Sequence, residues 1–264
     1  MKFVVILSTI FALLAVNLSA SALPRYSCKK GSNPQNNLLL QAMLKQKTIH
    51  SRSVMKTFCA VDRNNFLLKK EKYGFEPIYI GHGATLSRPD AHVFGLENAM
   101  AMAKGKRFRK MKFLDIGSGS GVMPVYFARL FPRTKIYGIE HIAKLAKWSL
   151  GNIAKYKRNI KNIKIIAGDG RPGLPKSGPF DFIHCGAAFK THDIPLLKQL
   201  KKGGKMVAPV YDKINNSDRQ HIWIYTKHDN GKITKIKGPP HAYVDVQDNK
   251  KQVKAGEANI IIKN

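Results

Sequence analysis

Hydrophobic and polar positions along this chain follow two periods, which predicts strands separated by helices. Short apolar runs bounded by turn residues are typical of buried strands, and apolar residues three and four positions apart are typical of helices. The predicted strands cover residues 113–116, 135–139, 163–167, 180–184, 205–209, 221–227 and 232–237. The predicted helices cover residues 36–47, 53–61, 97–104, 122–131, 141–158 and the region around 193–200.

The order of these elements predicts an α/β fold. Strands that alternate with helices indicate a mostly parallel sheet covered by helices on both faces, preceded here by a helical lead-in. Asn230-Gly231 separates the last two strands and is typical of a hairpin, which predicts an antiparallel edge. A last apolar stretch lies near 242–246.

Residues 1–22 have the pattern of a signal peptide. Met1-Lys2 gives a positive start, residues 3–16 are almost entirely apolar, and Ala20-Ser21-Ala22 offers the small residues of a cleavage site. The apolar run is shorter than the roughly 20 residues that span a bilayer, so an uncleaved membrane anchor is the weaker alternative. We therefore expect a secreted or secretory-pathway protein with a single domain over 23–264.

The strong positive charge of the chain predicts anionic partners. The chain has 46 Lys and Arg residues against 16 Asp and Glu residues, a formal charge of +30 that is spread widely, with its densest cluster at 104–112. Such a field predicts nonspecific, salt-sensitive attraction to polyanions. No aromatic residues are interleaved in a nucleic-acid-binding motif, so we expect no specific nucleic-acid recognition.

The three cysteines exclude a dense disulfide framework. Cys28, Cys59 and Cys185 have no CxxC spacing, which also gives no support to a metal site. Cys28 is placed to reach Cys59 in an oxidising compartment, whereas the apolar helical pattern around Cys59 favours a small core residue. Cys185 ends an apolar strand and is expected in the core. Asn215 begins a glycosylation sequon that matters only in the secretory pathway.

The segment 113–121 is the strongest indication of chemistry. Its strand leads into a loop with glycines at every second position, Gly117, Gly119 and Gly121, which let the backbone turn tightly and approach a ligand. Glu140 ends the next strand, where an acidic side chain can accept hydrogen bonds from ribose hydroxyls. A nucleoside cofactor without a pyrophosphate grip indicates S-adenosylmethionine, and an ordinary tight strand-to-helix turn is the alternative.

Two further segments carry candidate site residues. The glycine-rich segment 81–92 bears Thr85 and Ser87 and is suited to a substrate loop or lid, although Ser87 is equally suited to cap the following helix. Asp169 follows the strand 163–167 and can accept a hydrogen bond from an adenine amino group, with a simple Asp-Gly turn as the alternative.

The combination of segments, in order, resembles one family. GHGATLSRPDAH, FLDIGSGSGV, YGIEHIAKL, AGDGRPGLP, PFDFIHCGAA and LKKGGKMVAPV are together similar to the protein-L-isoaspartate (D-aspartate) O-methyltransferases. The resemblance starts near Asn33, includes FCAVDRNNF at 58–66 and reaches about Gln252. It implies a Rossmann-like methyltransferase fold, S-adenosylmethionine as cofactor and methylation of isoaspartyl carboxylates in damaged proteins. We expect the protein to be a monomer.

The resemblance and the motifs together give the candidate site. Ser87 occupies the position of the family's active-site serine. The expected cofactor residues are Ala84, Thr85, Leu86, His92, Asp115, Gly117, Ser118, Gly119, Ser120, Gly121, Glu140, His141, Asp169, Gly170 and Gln252.

The segments expected to bind the acceptor substrate depart from the family pattern. Asp90 replaces a usual His or Tyr, and a carboxylate there is expected to repel an isoaspartyl group. Residues 189–192 replace a shorter loop, Tyr211 follows Val210 where a glycine is usual, and Asp245 replaces the proline of a segment whose backbone helps to hold the substrate peptide.

Two functions are therefore weighed. The first is isoaspartyl methyl transfer for protein repair. The alternative is a secreted basic binding or toxin-like protein that keeps the methyltransferase fold with lost or altered catalysis, an interpretation favoured by the scarcity of S-adenosylmethionine outside cells. The intact glycine loop, Glu140 and Asp169 favour the first.

Overall fold

The computed structural model describes residues 26–30, 32–70, 74–104, 109–156, 160–212 and 219–246. The α-helices are α1 (Pro34–Lys45), α2 (Arg52–Cys59), α3 (Pro89–Ala103), α4 (Val122–Leu130) and α5 (Ala143–Ala154). The strands are β1 (Ile78–Gly81), β2 (Ala84–Leu86), β3 (Lys112–Ile116), β4 (Lys135–Glu140), β5 (Ile163–Ala167), β6 (Phe180–Cys185), β7 (Leu200–Tyr211), β8 (Gln220–Lys227) and β9 (Ile233–Pro240). Short 3-10 helices cover Arg63–Phe66 and Pro195–Gln199.

A seven-stranded sheet in the order β5-β4-β3-β6-β7-β8-β9 organises the molecule. The strands from β5 to β7 run parallel, and β8 and β9 pair antiparallel at one edge. This confirms the predicted Rossmann-like α/β class with a mostly parallel sheet and an antiparallel edge. The Asn230-Gly231 turn joins β8 to β9, as its dipeptide predicts.

Alternate residues of the central strands divide the core between the two faces of the sheet. Phe113 of β3 and Phe182 of β6 are register partners on the face that the α-helices cover, whereas Leu114 and Ile183 point into the opposite cluster. That second face is closed by Leu174 and by residues of the Pro195–Gln199 3-10 helix, so the prediction of α-helical cover there is wrong. The connection 168–179 contains four glycines and three prolines, which oppose helix formation.

A carboxylate distant in sequence caps α2 and so binds the N-terminal helices, here called the helical lead-in, to the rest of the fold. Glu97 of α3 accepts hydrogen bonds from the backbone N–H groups of His50 at 2.8 Å and Ser51 at 2.7 Å, at the start of α2. These groups have no partner inside α2, and a carboxylate is favoured at the positive end of a helix. The lead-in is therefore positioned by a residue that also belongs to the site-bearing part of the fold.

A disulfide joins Cys28 to Cys59, with 5.2 Å between their Cα atoms. Cys59 is also buried, so the two interpretations of this residue are both met: it lies in the core and it is bonded. Cys185 is a free, buried thiol of β6, as expected for a core position.

Several boundaries differ from the predicted ones. A short antiparallel hairpin, β1 and β2, covers 78–86, of which 81–86 were expected to be part of a loop, and α3 begins at Pro89, eight residues before the predicted start. Tight glycine-rich turns hide the hairpin from a periodicity argument, and Gly95 weakens the helical pattern of the first half of α3. Residues 242–246 form an isolated bridge, Ala188 with Asp245, and no strand. Within the described residues, no helix has both the length and the apolar character needed to cross a membrane.

Candidate active site

The carboxyl ends of β3, β4 and β6 converge at one edge of the sheet, where the glycine loop lies. Gly117, Gly119 and Gly121 have φ angles of 71°, 50° and 87°, a region that L-residues with a side chain rarely adopt. A Cβ on Gly119 would also lie 3.4 Å from the Ile80 side chain of β1. The loop therefore depends on glycine for its shape, as the sequence predicted.

Glu140 fixes this loop from the end of β4. One of its carboxylate oxygens accepts the N–H of Gly119 at 2.8 Å, and the other accepts the N–H of Ile142 at 2.9 Å. Burial raises the pKa of Glu140, while these two backbone donors act in the opposite direction. Each carboxylate oxygen has a second lone pair for a ligand hydroxyl.

Two adjoining cavities open at this edge, and they share Thr85, Gly117, Gly119 and Gly186. The larger cavity has apolar walls from Ile116, Ile139, Val244 and Val246 and a polar side that bears Glu140, His141, Asp169, Gly170 and Arg171. Asp169 forms an ion pair with Arg171, with 2.7 Å between Oδ2 and Nη2, and both side chains are about half exposed. This ion pair adds a planar guanidinium that the sequence argument did not anticipate.

The smaller cavity carries the polar groups of the predicted site. Its lining includes Thr85, Leu86, Ser87, His92, Asp115, Ser118 and Ser120. The hydroxyls of Ser118 and Ser120 and Oδ2 of Asp115 are buried and have no hydrogen-bond partner among the residues that the structure describes. Buried polar atoms without partners cost free energy, so their grouping around one cavity indicates a place for a polar ligand.

Asp115 is held by a residue that the sequence argument did not select. His184 of β6 donates its Nδ1 proton to Oδ1 of Asp115 at 2.6 Å, and both side chains are buried. Burial raises the pKa of Asp115, and the bond from His184 opposes the rise. The register of parallel β3 and β6 places these residues opposite each other, a pairing that a strand pattern alone does not reveal.

Arg63 is a second residue that the sequence argument did not select, and it is fully buried behind the Ser87 loop. Its guanidinium donates to the backbone oxygen of Ser87 at 2.8 Å and to Nδ1 of His92 at 2.9 Å. Arginine is only a donor, so Nδ1 of His92 is an acceptor and the ring proton lies on Nε2. Burial and the nearby Arg63 charge hold the pKa of His92 well below its usual range.

Asp90 is not the free negative charge that the sequence suggested. Arg88 binds both of its carboxylate oxygens at 3.1 Å, and Nε2 of His241 lies 3.5 Å from Oδ1. Burial opposes ionisation of Asp90, but the hydrogen bonds from Arg88 and the nearby His241 ring together lower the pKa of this carboxyl group. The expected repulsion of an acceptor carboxylate is therefore offset within the protein.

The three departures at 189–192, Tyr211 and Asp245 form one cluster. Nζ of Lys190 lies 2.6 Å from Oδ2 of Asp245, and the hydroxyl of Tyr211 donates to Oδ1 at 2.6 Å. The Lys190 ammonium also lies 4.0 Å from the centre of the Tyr211 ring. Backbone bonds between Ala188 and residues 244 and 246 join the same segments at the wall of the larger cavity.

The structure brings nearly all of the expected site residues together. Those that it describes line one or both cavities, apart from Gly121, which immediately precedes α4 and where a Cβ would lie 3.2 Å from the Ile153 side chain. Gln252, the sequon at Asn215 and the segment 1–22 lie outside the described residues. Thr85 lies on β2, and Ser87 lies in the two-residue connection between β2 and α3. The N-cap of α3 is Arg88, whose side chain makes no capping hydrogen bond, so Ser87 is not the cap of this helix.

Comparisons with known proteins agree with this geometry. The family model of protein-L-isoaspartate (D-aspartate) O-methyltransferase matches residues 34–251. A protein-L-isoaspartate O-methyltransferase of Triticum aestivum is 35% identical over 187 residues, covering 69% of this chain and 80% of the relative. One from Caenorhabditis elegans is 32% identical over 208 residues, covering 77% and 88%.

A solved structure is similar over most of the fold. It comes from Plasmodium falciparum, is assigned as a protein-L-isoaspartate O-methyltransferase and is in complex with S-adenosyl-L-homocysteine. The sequences are 27% identical, the TM-score is 0.69, and the match covers 80% of this chain and 97% of that one.

Proposed function

The chain belongs to the protein-L-isoaspartate (D-aspartate) O-methyltransferase family, and from this premise we propose that it methylates isoaspartyl or D-aspartyl carboxylates in damaged proteins, as a repair enzyme. The observation that carries the proposal is the position of Ser87 beside the glycine loop, at a cavity whose buried polar atoms lack partners in the described part of the chain. The family relationship gives no support to the alternative of a binding protein without catalysis.

The residues present fit S-adenosylmethionine, the family's cofactor, in two parts. The larger cavity offers apolar walls and Glu140 for an adenosine, and the smaller cavity offers Asp115, Ser118 and Ser120 for the charged amino acid end. The buried Oδ2 of Asp115, which no described residue binds, is suited to accept from an ammonium group. When bound, this cofactor supplies the methyl group on a sulfonium.

The acceptor needs orientation more than activation. A carboxylate is already ionised near neutral pH, so the chain has no need of a strong general base. We assign to Ser87 the role of donating a hydrogen bond to the acceptor carboxylate, with the hairpin β1–β2 and α3 fixing its backbone. Correct placement and exclusion of water account for up to ~10 kcal/mol in favourable intramolecular cases.

The two acidic departures from the family pattern, Asp90 and Asp245, are compatible with retained activity. Asp90 and Asp245 are each neutralised by a basic neighbour, Arg88 and Lys190, so neither adds a free negative charge near the cavities. A paired replacement of this kind is compatible with an acidic acceptor, whereas a lone carboxylate would disfavour it.

One assay tests the proposal directly. Transfer of labelled methyl from S-adenosylmethionine to an isoaspartyl peptide is expected, with little or no transfer to the same peptide that carries a normal aspartyl residue. Gly119→Val is the matched negative control, because a β-branched side chain at φ 50° is strained and its Cβ lies close to Ile80. Wild-type protein that binds S-adenosylhomocysteine and methylates neither peptide would contradict the assigned acceptor.

We further propose that the protein works in the secretory pathway or outside the cell. Residues 1–22 have the composition of a signal peptide, and the bond between Cys28 and Cys59 is of a kind that persists in oxidising compartments. Mass spectrometry of the native protein is expected to find Leu23 at its amino terminus. An intact 1–22 segment in a cytosolic fraction would contradict the assignment.

We also propose that the protein is a monomer and that it binds polyanions nonspecifically. The charge of +30 supports this attraction, which is expected to weaken steeply as salt is added. Size-exclusion chromatography with light scattering tests the monomer.

A further inference from the structure

A broad groove lies at the amino ends of the parallel strands, across the sheet from the cavities of the active site. It has a volume of about 1040 Å³, and its apolar lining residues are Met111 and Pro179. β3 separates it from the glycine loop, and five residues of strand at ~3.3 Å each place the two regions roughly 16 Å apart. The groove is therefore independent of the site that holds cofactor and acceptor.

The groove is strongly cationic. Five basic side chains line it against one carboxylate, that of Asp181, which Lys201 neutralises at 3.2 Å. The other oxygen of Asp181 accepts the backbone N–H of Lys112 at 2.9 Å. The single negative charge is thus already engaged and does not oppose an anionic ligand.

Three of the cations are exposed and are not engaged by any acceptor in the described part of the chain: Lys110, Arg133 and Lys135. Lys112 is different, because its ammonium donates to the carbonyl oxygens of Ser177 at 2.8 Å and Gly178 at 3.3 Å. The groove therefore combines one cation held by backbone oxygens, that of Lys112, with three cations that are available to a ligand.

The sheet arranges these groups in a row. Lys135, Lys112 and Lys201 lie at or next to the first residues of β4, β3 and β7, with β6 between the last two. Neighbouring strands are ~4.8 Å apart, so the row extends roughly 14 Å, and its Lys201 end is offset by the Asp181 carboxylate on β6. The positive charges that remain, those of Lys110, Lys112, Arg133 and Lys135, lie at and before the starts of β3 and β4. Four neighbouring positive charges match a ligand with repeated negative charges better than a single small anion.

We propose that this groove is a binding site for a sulfated polysaccharide chain. It contains no aromatic side chain on which a nucleic-acid base can stack, among the residues that line it, and base stacking is the usual complement to a basic channel for single strands. The proposal gives a location to the diffuse polyanion attraction inferred above, and it rests on the proposed secretory location but not on methyl transfer.

The test compares two triple variants of equal charge. Lys110→Gln, Arg133→Gln and Lys135→Gln remove the unengaged cations of the groove, whereas Lys147→Gln, Lys198→Gln and Lys232→Gln remove three exposed lysines elsewhere. Calorimetry with a short heparin oligosaccharide at physiological ionic strength is expected to show about 10- to 100-fold weaker binding for the groove variant, and a salt slope reduced by about 2. The affinity of the control variant for the oligosaccharide should fall by less than about 3-fold, because its substitutions change only the electrostatic field far from the groove.

Each other outcome overturns the proposal. Equal losses in both variants would mean that the total charge, and not the groove, binds the polymer. Tighter binding of a single-stranded DNA oligonucleotide of matched charge would assign the groove to nucleic acid. Affinity for S-adenosylhomocysteine, measured on each variant, shows that the fold is intact and is read independently of methyl transfer, so a failure here leaves the proposed enzyme activity standing.

Discussion

At the scale of single residues, Ser87 is the position at which chemistry and binding can be separated. Its backbone is fixed by Arg63, and its side chain lines the smaller cavity. We predict that Ser87→Ala lowers kcat for an isoaspartyl peptide by roughly 10- to 100-fold, as expected for loss of a hydrogen bond to a charged group worth about 1.5–3 kcal/mol. Affinity for S-adenosylhomocysteine should change little, and a parallel loss of both would instead indicate a collapsed loop.

Arg63 acts on the same loop from behind. Arg63→Met removes the donors to Ser87 and His92, so we predict a fall in kcat/KM for the acceptor of at least about 10-fold, the scale of one lost buried charged hydrogen bond. Arg63→Lys should restore part of it, because an ammonium reaches one acceptor but not both. A thermal melt of each variant separates this effect from unfolding.

Because His92 is neutral in the folded protein, the stability of the fold is expected to depend on pH. The pKa of His92 is lowered in the folded protein, so below about pH 6.5 the unfolded chain binds a proton that the folded chain does not. This contribution favours folding above that pH and is progressively lost as the pH falls. Chemical denaturation of wild type and His92→Gln at pH 7.5 and pH 5.5 should show a smaller loss of stability for the variant, and an equal loss would show that His92 is not the group responsible.

Asp90 shows why a residue type alone can mislead. From the sequence alone, Asp90→His is expected to raise turnover by removing a repulsive carboxylate. In the structure this variant would place a third basic group beside Arg88 and His241 in the first turn of α3, where an acidic residue is favoured. We therefore predict that Asp90→His lowers the melting temperature and does not raise kcat/KM for an isoaspartyl peptide, whereas Asp90→Asn should have the milder effect of the two.

At the scale of elements, the sequence identified the parallel strands and the cofactor loop but not the connections between them. Strands β3, β4 and β6 are nearly continuous apolar runs that lead into glycine or an acidic residue, a local signal that needs no partner to be read. The hairpin β1–β2 contains tight glycine-rich turns, and the first half of α3 contains Gly95, where a Cβ would lie 3.1 Å from the His184 ring of β6, so neither segment has a clear periodic pattern. The pairs Arg63 with His92 and Asp115 with His184 join residues 29 and 69 positions apart, which no spacing rule within one element can reveal.

The cluster of Lys190, Asp245 and Tyr211 joins three separate segments at the cavity wall, so its members should not act independently. We predict that Lys190→Met raises KM for the acceptor peptide by about 2- to 5-fold at constant kcat, in keeping with an ion pair that is partly exposed. Asp245→Asn should have a similar effect, and the double variant should be little worse than either single one. Lys201→Met breaks a comparable ion pair far from the cavities and is the matched control.

At the scale of the whole molecule, the active site and the basic groove occupy opposite edges of one sheet. The parallel direction of β4, β3, β6 and β7 produces this separation, because it places the carboxyl ends of β3, β4 and β6 at the cavities and the amino ends of all four strands at the groove. Catalysis and attachment to an anionic polymer are therefore compatible in one molecule. The order of strands was not specified by the sequence pattern, so the groove had no counterpart in the sequence argument beyond the basic cluster at 104–112.

The bond between Cys28 and Cys59 connects the stability of the whole fold to its compartment. It closes a loop of 31 residues between the segment before α1 and the end of α2, and the chain-entropy relation gives about 3–4 kcal/mol for a loop of that size. For a protein of this length, that stabilisation corresponds to a melting temperature higher by roughly 6–16 °C. We predict that dithiothreitol lowers the melting temperature of the wild type by an amount in this range.

The Cys28→Ser, Cys59→Ala variant is the control. It should melt at the temperature of the wild type in dithiothreitol and should be insensitive to the reductant, since Cys185 is a free thiol in both proteins. If wild type and variant melt together without reductant, the bond does not stabilise the fold, and the argument for an oxidising compartment then rests on residues 1–22 alone.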